Sequence, residues 1–83
     1  MSLRFNIDLF LNTFDGLRSL RGLSTKAACT EAGVDHLVVW RMRSQGYVPY
    51  VVNMSKLLLW MSDGVDADLL PYMDEADEDE EAA

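Results

Sequence analysis

Apolar residues recur at helical spacing over residues 7–21, where Ile7, Phe10, Leu11, Phe14 and Leu17 share one side and Asp8, Asn12, Asp15, Arg18 and Arg21 the other. That period predicts an amphipathic first helix. Gly16 interrupts it at a cost of about 1 kcal/mol relative to alanine, which marks a point of bending or close packing. A second helix is predicted over 25–32. Its cap is Ser24, whose hydroxyl can accept free backbone N–H groups, and Ala27, Ala28, Cys29 and Ala32 give it a thin packing face. Gly33 stands where the chain needs a positive φ to leave that helix, and Asp35 caps the next one. The third helix, over 36–45, puts Val39 and Met42 inward in line with Val34, so Leu37, Trp40, Arg41 and Ser44 point outward.

Residues 46–49 read as a loop. After Pro49 the run YVVNMSKLLLWM predicts a fourth helix with Val51 or Val52, Met54, Leu58 and Met61 on its core side, while the β-rich start YVPYVV also admits a strand. Leu57, Leu58, Leu59, Trp60 and Met61 are apolar all round that helix, so part of the run is expected to face a second subunit or to lie under a fifth helix. Ser62, Asp63 and Gly64 stop it, and Asp66 caps a short last helix over 67–72 that Pro71 interrupts. The remaining DEADEDEEAA has no aromatic or branched apolar residue with which to repay its ordering entropy, and disorder is expected there. The expected architecture is therefore all-α: five helices in one domain over 1–73, followed by a disordered acidic tail over 74–83.

At 83 residues, 49% of them hydrophobic, the chain has side chains for one small core. The lone cysteine, Cys29, has neither a disulfide partner nor zinc-ligand spacing around it, which suits a buried role in a reducing cytoplasm. Asn6 and Asp8 break the early apolar stretch, against a signal peptide or a membrane span. The net charge of −7 is unevenly spread. Seven of the fourteen acids lie from Asp74 onward, leaving residues 1–73 neutral, and between Arg18 and Lys56 six bases meet two acids for a local +4.

The segment STKAACTEAGVDHLVVWRMRSQG thus outlines two short helices joined by a tight turn, with arginines in the second, the plan of a helix-turn-helix DNA reader. Five features in order resemble the lambda-repressor-like, Cro and XRE type of helix-turn-helix protein over residues 7–72. They are Ser24, the AGV at 32–34 with Asp35, Arg41 with Met42, Gly46 followed by Pro49, and GVDADLL ending at Leu70. The resemblance implies five α-helices, a double-stranded DNA operator bound by a homodimer, and a repressor or other transcription regulator, frequently of bacteriophages and hence in the bacterial host's cytoplasm. Three positions depart from the pattern. Thr25 replaces a glutamine that often contacts phosphate, Cys29 a common alanine, and Ala28 a common leucine; the acidic tail is also outside it.

Docked in a major groove, the third helix would present His36, Leu37, Trp40 and Arg41 to base edges. Arginine can pair bidentately with guanine for roughly 1 to 3 kcal/mol of discrimination, and leucine can meet a thymine methyl. Leu37 and Trp40 equally suit an interface with a protein. Lys26, Arg43, Ser44 and Tyr47, with Thr25 at the family's contact position, are candidates for phosphates. Leu57, Trp60, Met61, Leu69 and Tyr72 are candidates for a dimer interface. His36 is the only histidine and has no triad partner or metal spacing, so no catalysis, cofactor, metal or small-molecule substrate is expected. The expected function is a Cro-like or immunity-type phage repressor. The alternative is a protein-interaction module or antitoxin that keeps the fold, its acidic tail mimicking nucleic acid; on the first reading that tail is a solubilising end, or else competes with DNA for the basic face.

Overall fold

The computed structural model describes residues 2–76 of the chain. In order these form β1 (Ser2–Phe5), α1 (Ile7–Leu20), α2 (Thr25–Ala32), α3 (His36–Gln45), α4 (Val51–Met61), a single 3-10 turn (Leu70–Tyr72) and β2 (Met73–Ala76). The apolar period of α1 buries Phe10, Leu11 and Phe14 against Ala28 and Cys29 of α2, Val39 and Met42 of α3, and Met54, Leu57, Leu58 and Met61 of α4. Val34, in the turn between α2 and α3, closes the cluster. Side chains of this kind each contribute about 1.5 to 3 kcal/mol on full burial, so the core is what holds four short helices together.

The five-helix, all-α expectation is corrected. Among the described residues there are four α-helices and a two-stranded antiparallel sheet. Residues 67–72 do not form a helix, because Pro71 lacks a donor and six residues cannot sustain one. Asp66 does not act as a cap either. Its backbone N–H donates to Ser62 Oγ at 3.0 Å and its carbonyl accepts from the same hydroxyl at 2.7 Å, which folds the segment back onto the end of α4. The strand considered at YVPYVV is likewise a loop running into α4.

The sheet joins the two ends of the described chain. Leu3 lies opposite Glu75, Arg4 opposite Asp74 and Phe5 opposite Met73. Opposite charges placed across such a pair contribute about 0.2 to 1 kcal/mol. Asn6 anchors the ribbon to the helices: its Oδ1 accepts the Leu9 N–H at 2.9 Å as the cap of α1, and its Nδ2 donates to Asp74 at 2.6 Å. Its backbone N–H also reaches the Tyr72 carbonyl at 2.7 Å. Phe5 and Tyr72 then pack their rings on Phe10 at 5.4 and 5.2 Å. Asp74 and Glu75 therefore belong to a strand and not to a disordered tail: both pair in register with β1, and Asp74 is also tied to the Asn6 side chain. The rest of the expected tail, residues 77–83, lies outside the described residues.

On α4, Val51 and Val52 are exposed, and Leu57 takes the core position in their place. Gly16 is not a site of close packing: α1 runs through it, and a Cβ there would meet nothing within 4 Å. Gly16→Ala should accordingly stabilise the fold by about 0.5 to 1 kcal/mol, read as a raised urea midpoint. A lowered midpoint would mean that the position has a packing role.

Candidate nucleic-acid interface

Local chemistry fixes the α2–α3 unit. Ser24 Oγ accepts the Ala27 N–H at 3.1 Å and starts α2. Gly33 ends it in the left-handed region (φ 80°, ψ 30°), where a side chain would be strained, and the next N–H, of Val34, closes back on the Cys29 carbonyl at 2.9 Å. Asp35 Oδ1 then accepts the Leu37 N–H at 2.9 Å and starts α3. The turn is therefore built from residues whose roles are set within three or four positions of each other.

With Val39 and Met42 buried, α3 turns the opposite side outward. Leu37 is 46% and Trp40 54% exposed, and His36, Arg41 and Ser44 lie on the surface with them. The four candidates for base contact thus share one exposed helix. His36 Nδ1 lies 3.5 Å from Asp35, and Ser44 Oγ is occupied by the Trp40 carbonyl of its own helix at 2.9 Å. Tyr47, just past the left-handed Gly46 that ends α3, is partly exposed.

The candidates for phosphate divide into two groups. Lys26 and Arg41 have no ion-pair partner among the described residues. Arg43 has one: both of its terminal nitrogens donate to the two carboxylate oxygens of Asp15, and Nη2 also reaches Thr25 Oγ1 at 3.3 Å. Arg18 Nε holds the same carboxylate at 2.8 Å. One aspartate on α1 therefore fastens α3 through Arg43 and meets Thr25 of α2 through the same guanidinium. The Arg43 guanidinium keeps the Asp15 carboxyl below the ordinary aspartate value, partial burial opposes this, and Arg18 adds to it. Arg43 and Thr25 act here as an internal brace of α3.

Two other bases of the +4 stretch are also engaged. Arg21 lies 4.3 Å over the Trp60 ring and donates to the Trp60 carbonyl at 2.9 Å and to Asp63 at 3.0 Å, which closes the C-terminal end of α4. Lys56 Nζ reaches the Gly33 carbonyl at 3.4 Å. A cleft of about 420 Å³ between these groups is lined by Arg21, Glu31, Lys56, Trp60 and Asp63 among others, and no residue of α3 enters it. Its Trp60 Nε1–H is bonded to Glu31 at 3.1 Å.

Of the residues expected at a dimer interface, two lie in the core of the single chain. Leu57 is fully buried and Met61 nearly so, and both belong to the core with Leu58, while Leu59 of the same apolar run stays 39% exposed. Trp60, Leu69 and Tyr72 are half-buried against the same core, with the Trp60 ring tilted against Phe14 at 5.5 Å and covered by Arg21. Asp15 escaped sequence reasoning as a site residue. Its i, i+3 spacing to Arg18 was visible, but the Arg43 contact spans 28 positions.

The chain matches no protein-family profile, no curated protein and no solved structure. Among the described residues no helix is long and apolar enough to cross a membrane.

Because the folded Asp15 titrates below its unfolded value of about 3.9, its contribution to stability is complete above that value and is lost as pH falls through the folded one. Asp15→Asn should therefore flatten the acid side of the stability profile below about pH 4, read by urea unfolding against pH. An unaltered acid limb would show that the brace carries no weight.

Proposed function

We propose that this chain is a small sequence-specific DNA-binding regulator of the lambda-repressor-like type, acting as a Cro-like or immunity-type phage repressor at an operator. The observation that carries the reading is the α2–turn–α3 unit, whose left-handed Gly33 and capping Asp35 send out a helix with Arg41 exposed and free of an ion-pair partner among the described residues. In a major groove, Arg41 would donate two hydrogen bonds to guanine O6 and N7, while Leu37 and Trp40 would offer apolar contact to thymine methyl groups. Lys26, at the start of α2, would meet a phosphate and set register without reading sequence. Arg43 supports this indirectly: held by Asp15, it fixes the angle at which α3 leaves the body.

Leu37 and Trp40 favour one second reading, a protein-binding module on the same helix, because two large apolar side chains are left outside the core. Salt separates the two. Duplex binding that displaces counterions weakens as log salt rises, whereas an apolar contact holds.

Selection of duplexes from a random pool should enrich one sequence, and Arg41→Ala should relax preference at a single base position by about 1 to 3 kcal/mol without lowering the unfolding midpoint. Lys26→Ala should weaken all duplexes alike. A pool that yields no enriched sequence, or an Arg41→Ala variant with unchanged selectivity, overturns the reading.

A further inference from the structure

The cleft between α2 and the C-terminal half of α4 stands apart from the reading helix, since no residue of α3 enters it. Four charged side chains line it, two of each sign. Arg21 and Asp63 pair at 3.0 Å, and the same guanidinium is held by the Trp60 and Met61 carbonyls, so these groups form a fixed wall. Glu31 on α2 and Lys56 on α4 differ. They line the same space with opposite charges, yet no ion pair joins them among the described residues. Glu31 Oε1 accepts the Trp60 indole N–H, which leaves Oε2 without a hydrogen-bond partner among the described residues. Lys56 Nζ has one acceptor, the Gly33 carbonyl at 3.4 Å, and two further protons to give. Lys56 and Trp60 stand one turn apart on the same side of α4, about 6 Å along its axis, and each reaches across to the end of α2. The open carboxylate oxygen and the open ammonium are thus held at neighbouring turns of one cleft. Ala32, the Trp60 ring and the partly exposed Leu59 give the same lining an apolar part.

We infer that this cleft binds a small zwitterion, a free α-amino acid with an apolar side chain, its carboxylate on Lys56 and its ammonium on Glu31 Oε2. Charge selects that class. An anion or a cation would gain one of the two partners and meet the other with its own sign, whereas a zwitterion is opposite to both. The two charged groups of an α-amino acid share one carbon, and a hydrogen bond at each end carries them to groups one helical turn apart. Its side chain then covers Leu59 and Ala32 and removes them from water. At about 420 Å³ the cleft is in the size range of small-molecule sites, and it is formed before a ligand arrives because Arg21 already locks one wall.

Calorimetric titration of the full chain with L-valine, L-leucine and L-methionine tests this, and the tightest of the three should bind at one site and saturate below about 10 mM. Trp40→Phe leaves Trp60 as the only tryptophan, and its emission should follow the same isotherm, which locates the ligand in the cleft. The amide of that amino acid lacks the carboxylate and its N-acetyl derivative lacks the ammonium, and each should bind about tenfold or more weakly. Lys56→Met should cause a loss of the same size, after which the amide binds no worse than the free amino acid. Glu31→Gln keeps an acceptor for the Trp60 indole N–H and should level the N-acetyl derivative with its parent in the same way. Both substituted positions are exposed, so the variants keep the fold, checked by circular dichroism. The inference is overturned by no saturable heat with any of the three, by a Trp60 emission that does not respond, or by binding indifferent to Lys56→Met and to loss of the carboxylate. No DNA enters these measurements. Duplex selection without amino-acid binding would sink this inference alone, and amino-acid binding by a chain that ignores duplex would sink the functional reading alone.

Discussion

Complete burial of two small side chains, Ala28 and Cys29, sets the separation of all the helices around α2. A methyl group and a thiol reach zero exposure only if the helix backbone carrying them lies against its neighbours, and α2 packs on α1, α3 and α4 at once. Eight residues cannot maintain a helix alone, so α2 exists because of that enclosure, and the outward projection of α3 follows from it. A larger residue at either position would force the helices apart. Burial also pushes the Cys29 thiol above its ordinary value, so it stays protonated and behaves as a small apolar group.

The boundaries of the helices were legible because the signals that set them are local. Ser24, Gly33, Asp35 and Gly46 each act on backbone groups within a few positions, and the period of α1 needs only fourteen residues to show itself. The sheet was not legible for the opposite reason. Each strand has four residues, and Arg4 finds its partner Asp74 at the other end of the chain. Composition assigned Asp74 and Glu75 to a disordered tail because it weighs side chains, while a strand is held by backbone groups that every residue carries. Asn6 shows the same limit: it looked like a polar interruption, and it is both the cap of α1 and the tie to the ribbon. Val51 shares the period of Met54 and Leu58, yet it is exposed because the first turn of α4 extends past the core.

Charge was read least accurately, and the reason is specific. The +4 stretch between Arg18 and Lys56 stops three residues short of Asp15 on one side and seven short of Asp63 on the other. Those two acids are the ones that engage Arg43, Arg18 and Arg21. Including them halves the excess to +2. A window drawn around the bases counts them and omits their partners, since ion pairs that bridge elements need not be near in sequence.

On the proposed reading this has a consequence for how a duplex would be held. Affinity for DNA ordinarily rests on many neutralised phosphates, and here the cations left without an ion-pair partner among the described residues are few. The Arg18, Asp15 and Arg43 cluster still nets one positive charge beside α3, so it does not repel a phosphate backbone, but most of its charge is spent on geometry. A protein of this kind gains little from nonspecific attraction and must draw its binding from the base-facing side chains of α3. A rigid reading helix is then worth more than a strongly basic one, because a small number of contacts discriminates only when each is held in place.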